Sequence, residues 1–394
     1  MKNIHKDVII IGAGPAGLSL ACSLADTNLK ILIIEKQSKI NLENPEYDGR
    51  EIALTHFSKK ILEKLNIWKK ITNKQITLIK EAKVLDGNSP YFLHFDNNNI
   101  SKNALGYIVS NHLIRKTLYA EIKNKPNIQI VTSTEVLDTQ TNKKEVFVTL
   151  SKKRKIIGSL LIAADSRFST TRMKMNISSQ INDFERSAIL FKIQHERKHY
   201  NTAYECFHYG ETLAVLPLSK NTSSIVMTVP KKKVNEIINL DKTKLAISII
   251  DKFKNKLGNM KIISNLYSYP LISIFAKKFI GRRFALIGDA AVGMHPVTAH
   301  GFNLGLRGQN ILALEIKSAL SNGLDIGSQT VLEKYESQHI QSTKLLYLGT
   351  NMIVKLYTND SFFSKILRKT VLRIGNNFIP AKRKIMDQLT EISG

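Results

Sequence analysis

At 394 residues and 43% apolar side chains, the chain is too long for one small core and too apolar for extended disorder, so one large or two interleaved domains are expected. Its two cysteines, Cys22 and Cys206, exclude a disulfide framework and a cysteine metal cluster; no metal site is expected, and a reducing cytoplasm is the default compartment. The formal charge of +26 suits an anionic partner, but lysine, asparagine and isoleucine are abundant everywhere and the lysines are not interleaved with aromatics, so most of the charge reads as compositional drift and nucleic-acid binding is not expected.

Residues 7–36 read DVIIIGAGPAGLSLACSLADTNLKILIIEK. Residues 8–11 are a β-branched apolar run, which predicts a buried parallel strand. Gly12, Gly14 and Gly17 follow at G-x-G-x-x-G spacing. Glycine there lets backbone approach a phosphate and lets the next helix, predicted for 15–25, pack close to its strand. That helix points its first amides at a pyrophosphate. Residues 31–34 form the second strand and end in Glu35, about where a carboxylate holds an adenosine ribose. A signal peptide over 8–25 is the competing reading, which the Gly12-Ala13-Gly14-Pro15 break disfavours. Strand, turn, helix, strand and acid fall in order, so the segment says adenine dinucleotide, without deciding between FAD and NAD.

Residues 37–47 read as a polar loop, and 48–55 bring Arg50 into a turn before a helix at about 58–68. Strands are expected at 75–84 and 91–95, with Asp86-Gly87 as the turn between them. Residues 107–122 read as a helix with Leu113, Leu118 and Ile122 inward and Arg115 available. Strands follow at 128–131, 145–150 and 156–163, the last ending at Asp165. From about 177 the pattern changes to short strands at 188–195, 202–208, 212–217 and 223–229, which predict an antiparallel sheet. A helix at 234–253 and further strands reach about 274. Residues 285–287 are again a buried strand, running into a second glycine turn and a helix at about 303–321.

If that late strand shares the parallel sheet of residues 8–11, its end opens into the same crevice. Asp289 then accepts from a ligand hydroxyl, and the amides of Gly301, Phe302 and Asn303 present partial positive charge at a helix start. A flavin gathers negative charge at its N1–C2=O edge on reduction. A second site at this distance therefore favours FAD over NAD.

Four segments carry a family resemblance: GAGPAG with Glu35; YDGREIALTHFSKKILEKLNIW with GYIVSNHLIRKTL; LLIAADSRFSTTR; and GDAAVGMHPVTAHGFNLGL. In this order they resemble the FAD-dependent aromatic hydroxylases, in the branch acting on ubiquinone precursors. The resemblance implies an α/β fold: a Rossmann-like FAD-binding domain of glutathione-reductase type, interleaved with an α+β substrate domain on an antiparallel sheet, and C-terminal helices. The corresponding division is 1–74, 101–176 and 275–345 for FAD, 75–100 and 177–274 for substrate, and 346–394 as a helical basic segment. It implies that Arg50 lies near the FAD pyrophosphate and ring, that Arg115 contacts FAD, and that backbone at Val136 touches adenine. It implies that Asp165 serves FAD and pyridine nucleotide, that Asp289 meets the ribityl chain, and that Pro296, Gly301 and Asn303 flank the isoalloxazine. It further implies NADPH or NADH as transient reductant, dioxygen, a C4a-hydroperoxyflavin, and a polyprenylated phenol or quinol as substrate. Three positions depart from the family pattern. The family's Asp-Gly motif reads Asp165-Ser166, and His300 and Gly308 stand where Gln and Asp are usual.

His295 and His300 are candidate catalytic groups beside the flavin; the plainer readings are a turn residue and a helix cap. His195, Tyr204 and His208 are candidates for a phenol pocket, or ordinary packed residues. Residues Phe363, Ile366, Leu367, Thr370, Val371 and Ile374 fall at helical spacing, with Lys365, Arg368, Lys369 and Arg373 toward the other face. Such a helix lies on an anionic membrane or packs on its own protein. Location in the cytoplasm, peripheral on the inner face of the inner membrane, and contact with other ubiquinone-biosynthesis proteins follow as expectations. An FAD-dependent reductase of an isoprenoid or quinone, and a non-catalytic flavin-binding subunit, are the alternatives.

Overall fold

The computed structural model describes residues 4–87, 92–96, 102–151, 154–208, 210–295, 300–358, 386–387 and 390–391. Among the described residues it has a mixed α/β fold built on three sheets. The first sheet has a parallel centre in which Phe284–Leu286, Lys155–Ala163, Ile4–Ile11, Ile31–Ile34 and Ile128–Val131 lie side by side. At the centre both faces are covered, so residues 8–11 and 31–34 are unbroken apolar runs rich in β-branched residues; all four residues of Ile31–Ile34 are buried. The first helix, Pro15–Ser23, starts with proline, whose missing amide costs nothing there. A late helix, His300–Ser321, packs beside it, and the Ser23 hydroxyl donates to Gln309 Oε1 at 2.9 Å.

The second sheet has nine strands, mostly antiparallel, around Ser179–His195, Thr202–His208, Glu211–Pro217, Thr222–Pro230 and Tyr267–Ala276. One face buries Ile189, Phe191, Cys206, Leu213, Ile225 and Met227 against Leu245, Ile249 and Phe253 of helix Lys242–Lys252 and its end. The other face turns toward a small third sheet of Glu51–Leu54, Gly106–Ser110 and Thr77–Ile79; Phe95, with Ala82, Ala203 and Leu216, packs there against Ile79, Ile108 and Ala53.

Several sequence expectations are corrected. Residues 107–122 are not one helix: Gly106–Ser110 is a strand, because aromatic and β-branched Tyr107, Ile108 and Val109 pair with Glu51–Leu54. The helix starts at Asn111; its buried stripe is Ile114, Leu118 and Ile122, and Leu113, expected inward, packs partly buried against the same core. Residues 75–84 split between two sheets, at Thr77–Ile79 and Glu81–Asp86. The helix expected at 234–253 is two, because Asp241 caps the second by accepting from the amides of Thr243 and Lys244. The polar 37–47 stretch holds a short helix, Lys39–Glu43, capped by Ser38. Val292–Gly293 pairs with Tyr267–Ala276, so the second sheet reaches into the stretch 275–345.

The basic helix expected after Asp360 lies outside the described residues. Later in the chain, Glu391 accepts from the Thr55 hydroxyl at 2.6 Å and pairs with Arg307, and Met386 packs beside Ile79 and Ile108. No helix among the described residues is long and apolar enough to cross a membrane.

Helix His300–Ser321 and the long helix Gln329–Thr358 touch closely at Gly308, where a Cβ would come within 2.5 Å of His339 Nε2. Gly308→Ala should therefore lower the unfolding free energy, because overpacking of about 1–3 kcal/mol outweighs a helix-propensity gain of about 1 kcal/mol. Gly349→Ala, where a Cβ meets nothing within 4 Å, should raise it. Urea unfolding of both variants checks the contrast.

Candidate functional site

The first glycine turn is closed by contacts that no side chain would allow. Gly12 has φ +104°, and a Cβ there would overlap the Ala164 carbonyl; one on Gly17 would overlap the Gly12 carbonyl. Gly14, the N-cap of the first helix, is different: a Cβ would meet nothing within 4 Å, so the helix start is open. Glu35 buckles the turn to its neighbour. One carboxylate oxygen accepts from the Ala13 amide at 2.6 Å and the other from the Gln37 amide at 2.8 Å. The chain leading to Val136 runs alongside, with Thr134 donating to the Glu35 carbonyl, and the Val136 carbonyl accepts from Lys174 at 2.7 Å.

Arg115 donates to Gln37 Oε1 at 3.0 Å. Burial lowers its basicity, and Arg50 adds to this while Asp48 and Glu35 oppose it. Arg50 donates through Nε to Asp48 at 2.9 Å and stands 5.5 Å over the Tyr269 ring. Burial raises the Asp48 carboxyl, but the hydrogen bonds from Arg50 and Asn111 outweigh it and hold the group below the usual carboxylate range. The structure thus gathers Glu35, Arg50 and Arg115 beside the first turn.

The late turn meets the early one. The Ile287 amide donates to the Ala163 carbonyl, in the strand next to Ile4–Ile11. Gly288, at φ +58°, sits so close to the first helix that a Cβ would lie 2.7 Å from the Ala16 side chain. Among the described residues the late helix runs from His300, three residues before the expected start, so Gly301 and Phe302 lie in its first described turn, where amides lack intrahelical acceptors. A Cβ at Gly301 would meet nothing within 4 Å. The Asn303 side chain is a staple: it accepts from the Thr55 amide at 3.2 Å and donates to the Ala53 carbonyl at 2.9 Å. Pro296 lies outside the described residues.

Asp165 accepts from the Thr171 amide at 3.2 Å and hydroxyl at 2.9 Å, which shapes the turn into helix Thr170–Lys174. Ser166 occupies φ +93°, a conformation glycine adopts freely and serine does not. Asp289 accepts from Arg167 Nη2 at 2.9 Å. Buried Arg172 donates to the Ala290 carbonyl at 2.8 Å and to that of Arg167 at 3.2 Å, tying the two loops together. Sequence reasoning passed over both arginines; their place after a strand-ending aspartate was the available signal.

His295 is buried edge-on against Phe184, with ring centroids 4.9 Å apart. Burial, reinforced by Arg186 and Arg167, pushes its imidazole down to about 4, so it is neutral near pH 7. His300 is buried at the helix start. His195, Tyr204 and His208, the proposed phenol-pocket residues, are corrected: they lie on the helix side of the second sheet. His195 bonds to the Arg197 carbonyl and the Ser223 hydroxyl, Tyr204 packs on Phe253, and His208 lines a cavity of about 230 Å³ with Cys206 and Phe253. Those positions alternate with the ones that turn toward the crevice, and alternation alone does not say which face is which. The crevice face instead carries Phe184, Ala188, Leu190, Val226, Tyr267, Tyr269 and Leu271, and the Tyr269 hydroxyl donates to the Asp48 carbonyl at 2.8 Å.

A family profile described as an FAD binding domain matches residues 5–345. The chain belongs to the FAD-dependent aromatic hydroxylases. Ubiquinone hydroxylase UbiM of Neisseria meningitidis is 46% identical over 392 residues, covering 98% of this chain and 85% of that protein. Ubiquinone hydroxylase UbiL of Rhodospirillum rubrum is 29% identical over 96% of this chain and 88% of its own length. The fold matches p-nitrophenol 4-monooxygenase PnpA of Pseudomonas putida at a TM-score of 0.79, with 15% identity and 99% coverage of both chains. The hydroxylase is thus an FAD-dependent monooxygenase of the ubiquinone-hydroxylase branch.

Two expectations follow for this hydroxylase. Ser166→Gly should raise the unfolding free energy by about 1 kcal/mol by relieving the backbone; a lower melting temperature would contradict that. His295 sets a pH dependence: between about pH 6.5 and 4 the unfolded chain binds a proton that the folded chain refuses. Its contribution is complete above that window and is lost as pH falls through it. His295→Gln should therefore recover about 2 kcal/mol of the stability difference between pH 7 and pH 4.5, measured by urea unfolding at both values.

Proposed function

We propose that the enzyme hydroxylates the aromatic ring of a polyprenylated ubiquinone precursor, using dioxygen and transiently bound NADH or NADPH. The observation that carries the reading is the contact of the two glycine turns, Gly288 against Ala16, which makes one crevice of sites far apart in the chain. The names of the relatives supply the substrate class.

The residues fit FAD in this reading. Gly12, Gly14 and Gly17 with the first helix start receive the pyrophosphate, Glu35 the ribose, and backbone at Val136 the adenine. Arg50 and Arg115 neutralise phosphate charge, Asp289 meets the ribityl chain, and Asp165 supports the turn between them. Pro296, Gly301, Phe302 and Asn303 flank the ring; the open Gly301 and the helix-start amides suit a flavin edge that becomes negative on reduction. FAD, when bound, supplies the two-electron chemistry and the activation of dioxygen. The protein orients the ring, excludes water and holds charge at that edge. His295 and His300 border the flavin side; a neutral His295 accepts or donates one hydrogen bond without bringing charge. One oxygen atom enters the ring and the other leaves as water, with two electrons from NAD(P)H.

The division into FAD-binding segments 1–74, 101–176 and 275–345 and substrate segments 75–100 and 177–274 belongs to the same reading, as does a peripheral position on the cytoplasmic face of the inner membrane. With labelled dioxygen, the hydroxylated quinone precursor should carry one labelled oxygen; unlabelled product would favour a reductase. Gly14→Val should yield protein that folds but emerges colourless. Replacing Lys365, Arg368, Lys369 and Arg373 with glutamine should move the protein from the membrane fraction to the supernatant, and an unchanged distribution would remove the membrane role.

A further inference from the structure

On the crevice face of the second sheet, the acid Glu205 is left without a task by the reading above. Glu205 lies on strand Thr202–His208 between Tyr204 and Cys206, which both pack on the helix side, so its own side chain turns to the opposite face. The registers give its row. Val84, Glu205, Ala214, Val226, Leu190 and Tyr267 stand side by side across six strands. Every other member is apolar or aromatic, and Leu190, Val226 and Tyr267 belong to the patch that includes Phe184 and Tyr269.

Phe184 touches His295, and Tyr269 touches Arg50 and Asp48, so that patch borders the flavin crevice. On the other side, Ala203 joins the patch under the third sheet. Glu205 therefore stands between the two places where the sheet meets the cofactor-binding part. On this face Ala203 lies two residues before it and Phe207 two after, Ala214 and Val84 are opposite, and Thr212 and Asp86 are diagonal. Thr212 is its hydrogen-bond partner, and among the described residues no cation pairs with it. Desolvation pushes the carboxyl up to about 8, the Thr212 bond acting the other way. The charged side chains sharing this face are Asp86, Arg186 and Lys192, and Lys192 is engaged by Glu51 at 3.1 Å.

An acid with no cation paired to it among the described residues, in a row of apolar residues between the two patches that meet the cofactor-binding part, is suited to a flat ring bearing one hydroxyl. We propose that Glu205 touches the ring hydroxyl of the phenolic substrate, accepting its hydrogen bond and then its proton. This rests on the reading of the enzyme as a phenol hydroxylase. In the step, the phenol O–H bond breaks, the proton goes to the Glu205 carboxylate, and the electron pair stays on oxygen. The ring carbons that receive the hydroxyl from reduced dioxygen become richer in electrons. The hydroxylated carbon then releases its hydrogen to water as a proton, and Glu205 returns its own to the ring oxygen.

The test uses the FAD-loaded full chain with 2-prenylphenol and its methyl ether as probes, binding being read from the flavin absorbance change. The wild type should bind the phenol about tenfold or more tightly than the ether. Glu205→Gln should bring the two within about threefold, leave FAD affinity unchanged, and lower kcat about 100-fold with a much smaller change in KM. Thr212→Val keeps the acid and removes its partner, so the rising limb of the kcat pH profile should move to higher pH; this holds the question open to measurement if the Gln variant does not fold. A wild type that hydroxylates the phenol while Glu205→Gln keeps both its discrimination and its kcat overturns the role of Glu205 alone. A wild type that binds FAD but neither binds nor hydroxylates phenols overturns the phenol reading, and this proposal with it.

Discussion

The whole arrangement depends on backbone approaching backbone where no Cβ can stand. Gly12 lies against Ala164, Gly17 against Gly12, and Gly288 against Ala16. These three approaches draw the ends of neighbouring parallel strands and two helix starts into one space. Widening any of them separates the early turn, with Glu35 and Arg115, from the late turn, with Asp289 and Gly301. Apolar burial holds the sheet together, but the absence of side chains at these positions decides that its ends form a single crevice.

Charge is handled by local pairing around that crevice. Arg50 faces Asp48, Arg167 faces Asp289, and Arg172 is buried against two carbonyls. Burying an arginine is costly unless its donors find acceptors; the carbonyls of Ala290 and Arg167 accept from both terminal nitrogens of Arg172, while its buried Nε is left without a partner among the described residues. The result is a rigid hub joining the loop after the central strand to the loop after the late strand. Asn303 extends it, holding the start of the late helix to the strand that follows Arg50. The second sheet then lays an apolar wall on this frame, with Tyr269 bonded to the backbone of Asp48.

Much of the frame was legible because strand, glycine turn and helix follow one another over short distances. Residues 8–11, Gly12 to Gly17, 31–34 and Glu35 need only local rules, and so does the late strand. What the sequence concealed depends on contacts made at a distance. Tyr107 to Val109 carry side chains suited to either a helix or a strand, and pairing with Glu51–Leu54 decides for the strand. Arg172 looks like a surface residue until Ala290 arrives beside it. Glu205 reads as an ordinary strand residue, since alternation says that it opposes Tyr204 but not which face meets the flavin. His195 and His208 were attractive as pocket residues for the same reason, and the fold turns them the other way.

The closeness of Gly308 to His339 bears on how this lineage can vary. The imidazole occupies the volume that an aspartate at position 308 would need, so neither residue is free to change by itself. A variant with aspartate at 308 must first trade His339 for something smaller or let the long helix slide outward. Across related sequences the two positions should covary, and an aligned pair would reveal the helix contact without any coordinates.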